Sequence, residues 1–372
     1  MDAALLPNRF QNWFSSRGWS PRAHQLQLVE HLRSGQSTLL IAPTGAGKTL
    51  AGFLPSLVEL DDRGKRKPGQ PGGIHTLYIS PLKALAVDIA RNLETPVSEM
   101  GLPFRIETRT GDTPSHKRQR QKTNPPDILL TTPEQIALLL SDPASEKLFS
   151  SLRTVILDEL HALVTSKRGD LLALGLARLR QLAPEMRTIG LSATVAEPDD
   201  LRAYLVGQPL DGTRALSSLV EVKGGAEPDI SILESKERLP WSGHSCRYAM
   251  GDIYQLIKQH SVSLLFVNTR SQAEAVFQEL WRINEDTLPI ALHHGSLDVG
   301  QRRKVEAAMA SGQLRAVVAT SSLDMGIDWG DIDLVINIGA PKGASRLAQR
   351  IGRANHRMDE PSKAVLIPAN RF

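Results

Sequence analysis

One cysteine, Cys246, stands in 372 residues. A single thiol closes no intramolecular disulfide and builds no cysteine-based zinc site, so a disulfide scaffold and a zinc-finger fold are both excluded. Aromatic residues make up only 5% of the chain, and no run of them reads as a platform for stacking bases. Trp241, Trp281 and Trp329 are read as core or interface residues. No apolar run approaches the roughly 20 residues that a membrane-spanning helix needs. Met1 to Phe14 lacks a basic segment followed by a long apolar core, so no signal peptide is expected. A cytoplasmic protein without membrane attachment is the default. Neither sign of charge dominates: 44 Lys and Arg against 40 Asp and Glu leave +4. That balance tolerates a nucleic-acid partner without arguing for one.

The composition that remains, 41% apolar and 23% charged, is that of an ordinary globular chain long enough for two domains. Short apolar runs at Ser37–Pro43, Thr76–Ser80, Asp127–Thr132, Thr154–Asp158 and Arg187–Ser192 read as buried strands. Leu82, Leu85, Ala86, Ile89 and Leu93 recur at spacings of three and four and mark one face of a helix. Leu171 to Leu182 is a second helical stretch. Strands apolar throughout, alternating with helices, indicate parallel sheets covered on both faces. The pattern pauses between about Val206 and Ser261. It resumes with strands at Ser263–Asn268, Ile290–His293, Arg315–Ala319, Asp333–Ile338 and Lys363–Ile367, and helices at Ser271–Ile283 and Gln301–Ala310. The expectation is two α/β domains, residues 1–207 and 208–372. Asp61 to Gly73 reads as a surface loop.

After the first strand comes Ala42-Pro43-Thr44-Gly45-Ala46-Gly47-Lys48-Thr49, and then a helical pattern. Glycines let several backbone N–H groups turn toward one anion, and the helix that follows adds its positive N-terminal end. Lys48 would reach the β- and γ-phosphates of a nucleotide, and the Thr49 hydroxyl would ligate magnesium. The general pattern begins with Gly; here Ala42 takes that place. About one hundred residues on, the apolar run Val155-Ile156-Leu157 ends in Asp158-Glu159-Leu160-His161. Asp158 would hold magnesium through water, and Glu159 would polarise the attacking water.

The pair APTGAGKT and DELH resembles superfamily 2 helicases and translocases of the DExH type, and other motifs follow in the family's order. Gln25 resembles the adenine-reading residue. Pro81-Leu82-Lys83-Ala84-Leu85 and Thr131-Thr132-Pro133-Glu134 resemble strand-binding motifs. Ser192-Ala193-Thr194 resembles the motif that links nucleotide state to grip on the strand, with His161 as its bridge to the ATP site. Phe266-Val267-Asn268-Thr269-Arg270, His293-His294-Gly295-Ser296, the run Thr320 to Asp328, and Gln349-Arg350-Ile351-Gly352-Arg353 match the second-domain motifs. Arg109-Thr110-Gly111-Asp112-Thr113, DELH and QRIGRANH resemble Lhr-type helicases; Trp13-Phe14 with Gly18-Trp19 resembles their ligase-associated bacterial branch.

The resemblance covers Gln25 to Arg357. It implies tandem RecA-like domains, ATP and Mg2+ as cofactors, and 3′-to-5′ movement along single-stranded DNA with unwinding of DNA or RNA–DNA duplexes. It implies a monomer with DNA-repair partners. It assigns the nucleotide to Gln25, Thr44, Gly45, Ala46, Gly47, Lys48, Thr49, Gly326 and Asp328. Catalysis falls to Lys48, Asp158, Glu159, Gln349, Arg350 and Arg353. Strand contact falls to Lys83, Arg109, Thr132, Thr269, Arg270 and Thr320, and coupling to His161, Ser192 and Thr194. Two departures stand out. Relatives carry a second arginine where this chain has His356, so Arg353 is the expected finger and Arg350 its helper. The chain also stops at Phe372, where Lhr-type proteins continue into further domains, so it resembles the motor core. The same motifs would serve an ATP-gated RNA clamp without directional motion. The basic run His116 to Lys122 is read equally as a strand contact or a solvated face. His293-His294 is not read as a metal pair, since adjacent residues share no helix face.

Overall fold

The computed structural model describes residues 5–370 apart from 44, 64–71, 194, 196, 223, 225, 226, 236, 242–245, 324–331, 342 and 355–360. Thr44, Thr194, Gly326, Asp328, Trp329, His356 and Arg357, named above, lie outside the described residues, as does most of the loop expected after Asp61. Leaving aside Pro43–Ala46, the chain divides into two compact units, Met1–Lys223 and Gly224–Phe372.

The first unit is built on seven strands: β1 Thr38–Ile41, β2 Thr76–Ile79, β3 Ile106–Arg109, β4 Ile128–Thr131, β5 Thr154–Leu157, β6 Arg187–Ser192 and β7 Ser218–Glu221. They pair in the order β3-β4-β2-β5-β6-β1-β7, every pair parallel. Side chains alternate across such a sheet. One parity (Leu39, Leu77, Ile79, Val155, Leu157) packs with Ile136, Leu163, Leu172 and Leu176 from the helices Pro133–Leu140, Leu160–Val164 and Lys167–Leu182. The other parity meets the helix Lys48–Arg63: Tyr78 stacks on Phe53 at 5.2 Å between centroids, and a Cβ on Gly52 would touch Leu191 and Ile156.

The second unit repeats the plan with six strands: β8 Asp229–Ile232, β9 Ser263–Phe266, β10 Ile290–His293, β11 Ala316–Ala319, β12 Leu334–Ile338 and β13 Lys363–Ile367. Their order is β10-β11-β9-β12-β13-β8, again all parallel. Leu265, Val318 and Ile336 face Ile253, Val276 and Leu280, whereas Phe266, Val317 and Val335 face Met309, Ile351 and Ala354.

Three strands escaped the sequence pattern, and all three are sheet edges. β3 (IETR) is only partly buried, β7 (SLVE) mostly so, and β8 (DISI) is exposed throughout. An edge strand covered on fewer sides needs no continuous apolar run, so the expected signal vanishes. Because β7 pairs with β1, the first unit continues past Gly207, the residue at which its end was expected. Trp241 and Trp281 are 66% and 60% exposed and are not core residues.

The short helix Leu160–Val164 turns directly into Lys167–Leu182, whose first turn is capped by the Ser166 side chain accepting from Gly169 N. A Cβ on Gly169 would stand 2.3 Å from the Leu163 carbonyl oxygen. That neighbour is backbone and cannot swing aside. Gly169→Ala is therefore expected to lower the stability of the first unit by about 1–3 kcal/mol, read from urea unfolding; a change under about 0.5 kcal/mol would show that the turn has slack.

Candidate nucleotide and strand sites

The carboxyl end of the first sheet divides into two neighbouring halves. The ends of β1, β6 and β5 carry the phosphate-type loop, Ser192 and the paired acids. The ends of β2, β4 and β3 carry Pro81–Lys83, Thr132 and Arg109. Ligands of open parallel sheets bind beyond this end, because the connecting loops converge there.

In the loop after β1, Gly45 and Gly47 take φ of 80° and 72°, the left-handed region that favours glycine. A Cβ on Gly47 would also stand 3.3 Å from Gln25 Nε2. Gln25 is buried, and its Oε1 accepts from Arg22 N at 2.9 Å. The structure thus seats Gln25 against the loop. Ala46 is buried, and Lys48 opens the helix with Thr49 next. Lys48 Nζ donates to Ala42 O at 2.8 Å, so the ammonium curls back over the start of its own loop.

Asp158 follows β5 and is 7% exposed. Its Oδ1 accepts from Glu159 N at 2.9 Å, and its Oδ2 accepts from the Tyr78 hydroxyl. Burial, then the adjacent Glu159 charge, pushes the Asp158 carboxyl up to about 6, against the pull of Tyr78, the Glu159 amide and Lys48. Burial and the Asp158 charge push the Tyr78 phenol well above its ordinary value, so it remains a donor. Glu159 itself has φ 46° and ψ 45°, a strained conformation for a residue with a Cβ. His161 stands 3.5 Å from Glu159 through Nε2 and 2.9 Å from Ser192 Oγ through Nδ1. Burial, then Lys48, lowers its pKa, so the imidazole is neutral at pH 7. The donor set suits a hard divalent cation: a buried Asp158 carboxylate and a half-buried Glu159 carboxylate, whose mutual repulsion a cation would relieve, with no all-protein cage among the described residues, as magnesium requires when phosphates supply its other ligands.

The strand-binding candidates fare unevenly. Lys83 is exposed and pairs with Asp112 at 3.0 Å. Thr132 is buried and precedes the helix Pro133–Leu140. Arg109 is not displayed to a polymer: it is 6% exposed, and its Nη1 donates to Arg118 O at 3.1 Å. A strand with a partly covered face turned that side chain inward, which spacing alone did not reveal. The basic run is largely committed to its own unit. Arg118 donates to Thr113 O and Gly111 O, Arg120 pairs with Glu107, and Lys122 pairs with Asp142.

In the second unit Thr269 caps the helix Arg270–Arg282 by accepting from Gln272 N. Arg270 is exposed and reaches toward Gly295, and Thr320 N donates to His293 O. These residues follow the neighbouring strands β9, β10 and β11. His293 is held by Ser322 Oγ at 2.9 Å and Glu306 at 3.1 Å, while His294 turns to Glu274 at 3.3 Å, so the two imidazoles serve different helices. Gln349 and Arg350 lie on the helix Ala344–Ile351, with Arg353 just beyond it. Arg350 does not present itself as a finger's helper. It is 1% exposed, lies over Phe266 at 4.8 Å and donates to Asn337 Oδ1 at 2.8 Å. One face of a short helix carried it into the core.

Residues 22–201 match the family described as DEAD/DEAH box helicase, and residues 249–358 match the helicase conserved C-terminal domain. The ATP-dependent helicase Lhr-Core protein 2 of Thermococcus barophilus is 38% identical over 99% of this chain and 44% of its own length. The Lhr-Core helicase of Methanocaldococcus jannaschii is 36% identical over 99% of the chain and 44% of its own. The chain belongs to the Lhr-type DExH helicases of superfamily 2. A solved structure of Mycobacterium smegmatis helicase Lhr bound to ssDNA and AMP-PNP is 39% identical, with a TM-score of 0.84, over 98% of this chain and 48% of that one. The two parallel sheets are the tandem RecA-like domains of such helicases. This Lhr-type chain spans about half the length of these relatives or less, and corresponds to their core portion. No described helix is long and apolar enough to cross a membrane.

Two residues of the Lhr-type site were missed in the sequence. Tyr78 is the lone aromatic in β2, and its hydroxyl crosses from the strand-binding half of the sheet to Asp158. The other is Arg168, whose guanidinium donates to Glu134 and to the Pro81 carbonyl. Asp158 also sets a pH dependence. Its folded pKa lies above the ordinary 3.8, so the folded state holds the extra proton between about 4 and 6. Stability therefore falls as pH rises through that window, and the cost is fully present above it. Without divalent metal, Asp158→Asn is expected to stabilise the protein by about 1–3 kcal/mol at pH 7.5 and by almost nothing at pH 4. Equal stability of the two proteins in urea at pH 7.5 would contradict this.

Proposed function

We propose that this chain is the motor core of a nucleic-acid-dependent ATPase, which hydrolyses ATP to translocate along a single strand and to unwind duplexes. The observation that carries the reading is the shared carboxyl edge of the first sheet. Lys48, Asp158 and Glu159 stand at one half and the Lys83 and Thr132 loops at the other, and His161 links Glu159 to Ser192.

In this reading Gln25 reads the adenine edge and the amides of Gly45, Ala46 and Gly47 cradle phosphates. Lys48 leaves the Ala42 carbonyl for the β- and γ-phosphates. Thr49 and Asp158 would hold Mg2+, and the ion would supply positive charge beside the phosphates. Glu159 orients the attacking water. Arg353 supplies the cation at the γ-phosphate, a contribution worth on the order of 10³–10⁵ in rate. Lys83, Thr132, Thr269, Arg270 and Thr320 contact the backbone of the strand, which positions it without reading sequence. The substrate class is single-stranded DNA, as in the M. smegmatis complex, and the polarity is 3′ to 5′ by family resemblance. The reading also takes the chain to act as a monomer in the cytoplasm, with DNA-repair partners.

A clamp that only binds and releases would use the same nucleotide groups, so the test must detect motion. Streptavidin is bound to a biotin at either end of a single strand, and its release is followed with and without ATP. The reading expects ATP to speed release from the 5′ end only. It expects Lys48→Ala and Arg353→Ala to abolish the effect, with turnover falling by about 10³-fold or more for Arg353→Ala. Release that ATP does not accelerate from either end would assign the chain to the clamp class.

A further inference from the structure

Arg168 belongs to none of the motifs read in the sequence, yet it holds two of them. It is the second residue of the helix Lys167–Leu182. Its Nε and Nη2 donate to the two carboxylate oxygens of Glu134, at 2.5 and 3.0 Å, and its Nη1 donates to Pro81 O at 2.6 Å. Glu134 lies in the first turn of Pro133–Leu140, directly after Thr132, and Pro81 lies two residues before Lys83. One guanidinium therefore ties the loops that follow β4 and β2. Arg168 draws the Glu134 carboxyl down to about 2, the largest influence on that group.

The other end of the connection reaches the acids. Glu159 precedes Leu160–Val164, and the chain passes through the Ser166 cap into the helix that bears Arg168. Gly169 is packed on the Leu163 carbonyl without room for a methyl group, and its own carbonyl accepts from the Tyr204 hydroxyl at 2.7 Å. The segment from Glu159 to Arg168 thus has little freedom to bend between its ends.

Resting on the function proposed above, we infer that Arg168 is a positioning residue that makes the acid loop and the two strand-binding loops move together, so that grip on nucleic acid is felt at Glu159. A planar fork fixes both the distance and the direction of its partners, which a lysine ammonium does not. Arg168 and Glu134 are 38% and 46% exposed. At that exposure the pair adds little to global stability, which separates a positioning role from a merely structural one.

The test compares wild type with Arg168→Ala, Arg168→Lys and Glu134→Gln, following ATP hydrolysis against polymer concentration and polymer binding against salt. Nucleotide binding without polymer should be unchanged in Arg168→Ala. The polymer concentration for half-maximal hydrolysis should rise about five- to tenfold, and lysine should not restore it. Glu134→Gln should shift it in the same direction. An Arg168→Ala/Glu134→Gln double variant should be no worse than the worse single one, since both remove one contact. The slope of log K against log salt should match wild type. A slope shallower by about one would mean that the guanidinium touches a phosphate itself, and would overturn the inference. So would weakened nucleotide binding in Arg168→Ala, which would mark general structural damage. A wild-type enzyme stimulated by polymer, with Arg168→Ala unshifted, overturns this inference alone. A wild type that no polymer stimulates overturns the parent reading with it.

Discussion

The functional edge of the first unit depends on the parallel pairing of β2, β5, β6 and β1. The registers Ile79↔Leu157, Leu157↔Gly190 and Ile41↔Ser192 end the four strands almost level. Adjacent strands lie about 4.8 Å apart, so the loops leaving them are forced into one narrow band. Lys48, the Asp158–Glu159 pair and Ser192 are neighbours because of that ladder and not because of sequence proximity. Were any of these strands to slip by one residue, its inward and outward side chains would exchange faces, and its loop would leave the band.

Within that band the chain accepts a local conflict. A buried carboxylate stands beside a second carboxylate on a residue with left-handed backbone. The fold compensates with two neutral donors, the Tyr78 hydroxyl and the Glu159 amide, and with the nearby Lys48 ammonium. Such a concentration of charge and strain is disfavoured for stability alone, and is typical of groups prepared for a cation and a polyphosphate. Tyr78 and Arg168 each cross the line between the nucleotide half and the strand half of the sheet edge. The two halves are therefore joined by specific hydrogen bonds as well as by the sheet itself.

The buried strands, the glycine loop after β1 and the paired acids after β5 were legible in the sequence, because each has a strong local cause. Full burial demands unbroken apolar runs, and phosphate cradling demands glycines before a helix. Edge strands β3, β7 and β8 were not legible, since partial burial leaves no such run. Orientation was the other blind spot. Arg109 and Arg350 carry the charge that a strand or phosphate contact would need. Position in sequence does not say that one turns under Arg118 and the other over Phe266. Tyr78 and Arg168 were missed for the opposite reason. Their partners are 80 residues away for Tyr78, and 34 and 87 away for Arg168, so only the folded chain brings them together.

The most direct test of the central claim is ATP hydrolysis measured without polymer, with single-stranded DNA and with single-stranded RNA, beside a Lys48→Ala control. The account predicts strong stimulation by DNA and no turnover by the control under any condition. Stimulation by RNA alone would retain the motor and overturn the DNA assignment. Turnover indifferent to both polymers would contradict the claim that the two halves of the sheet edge act as one device.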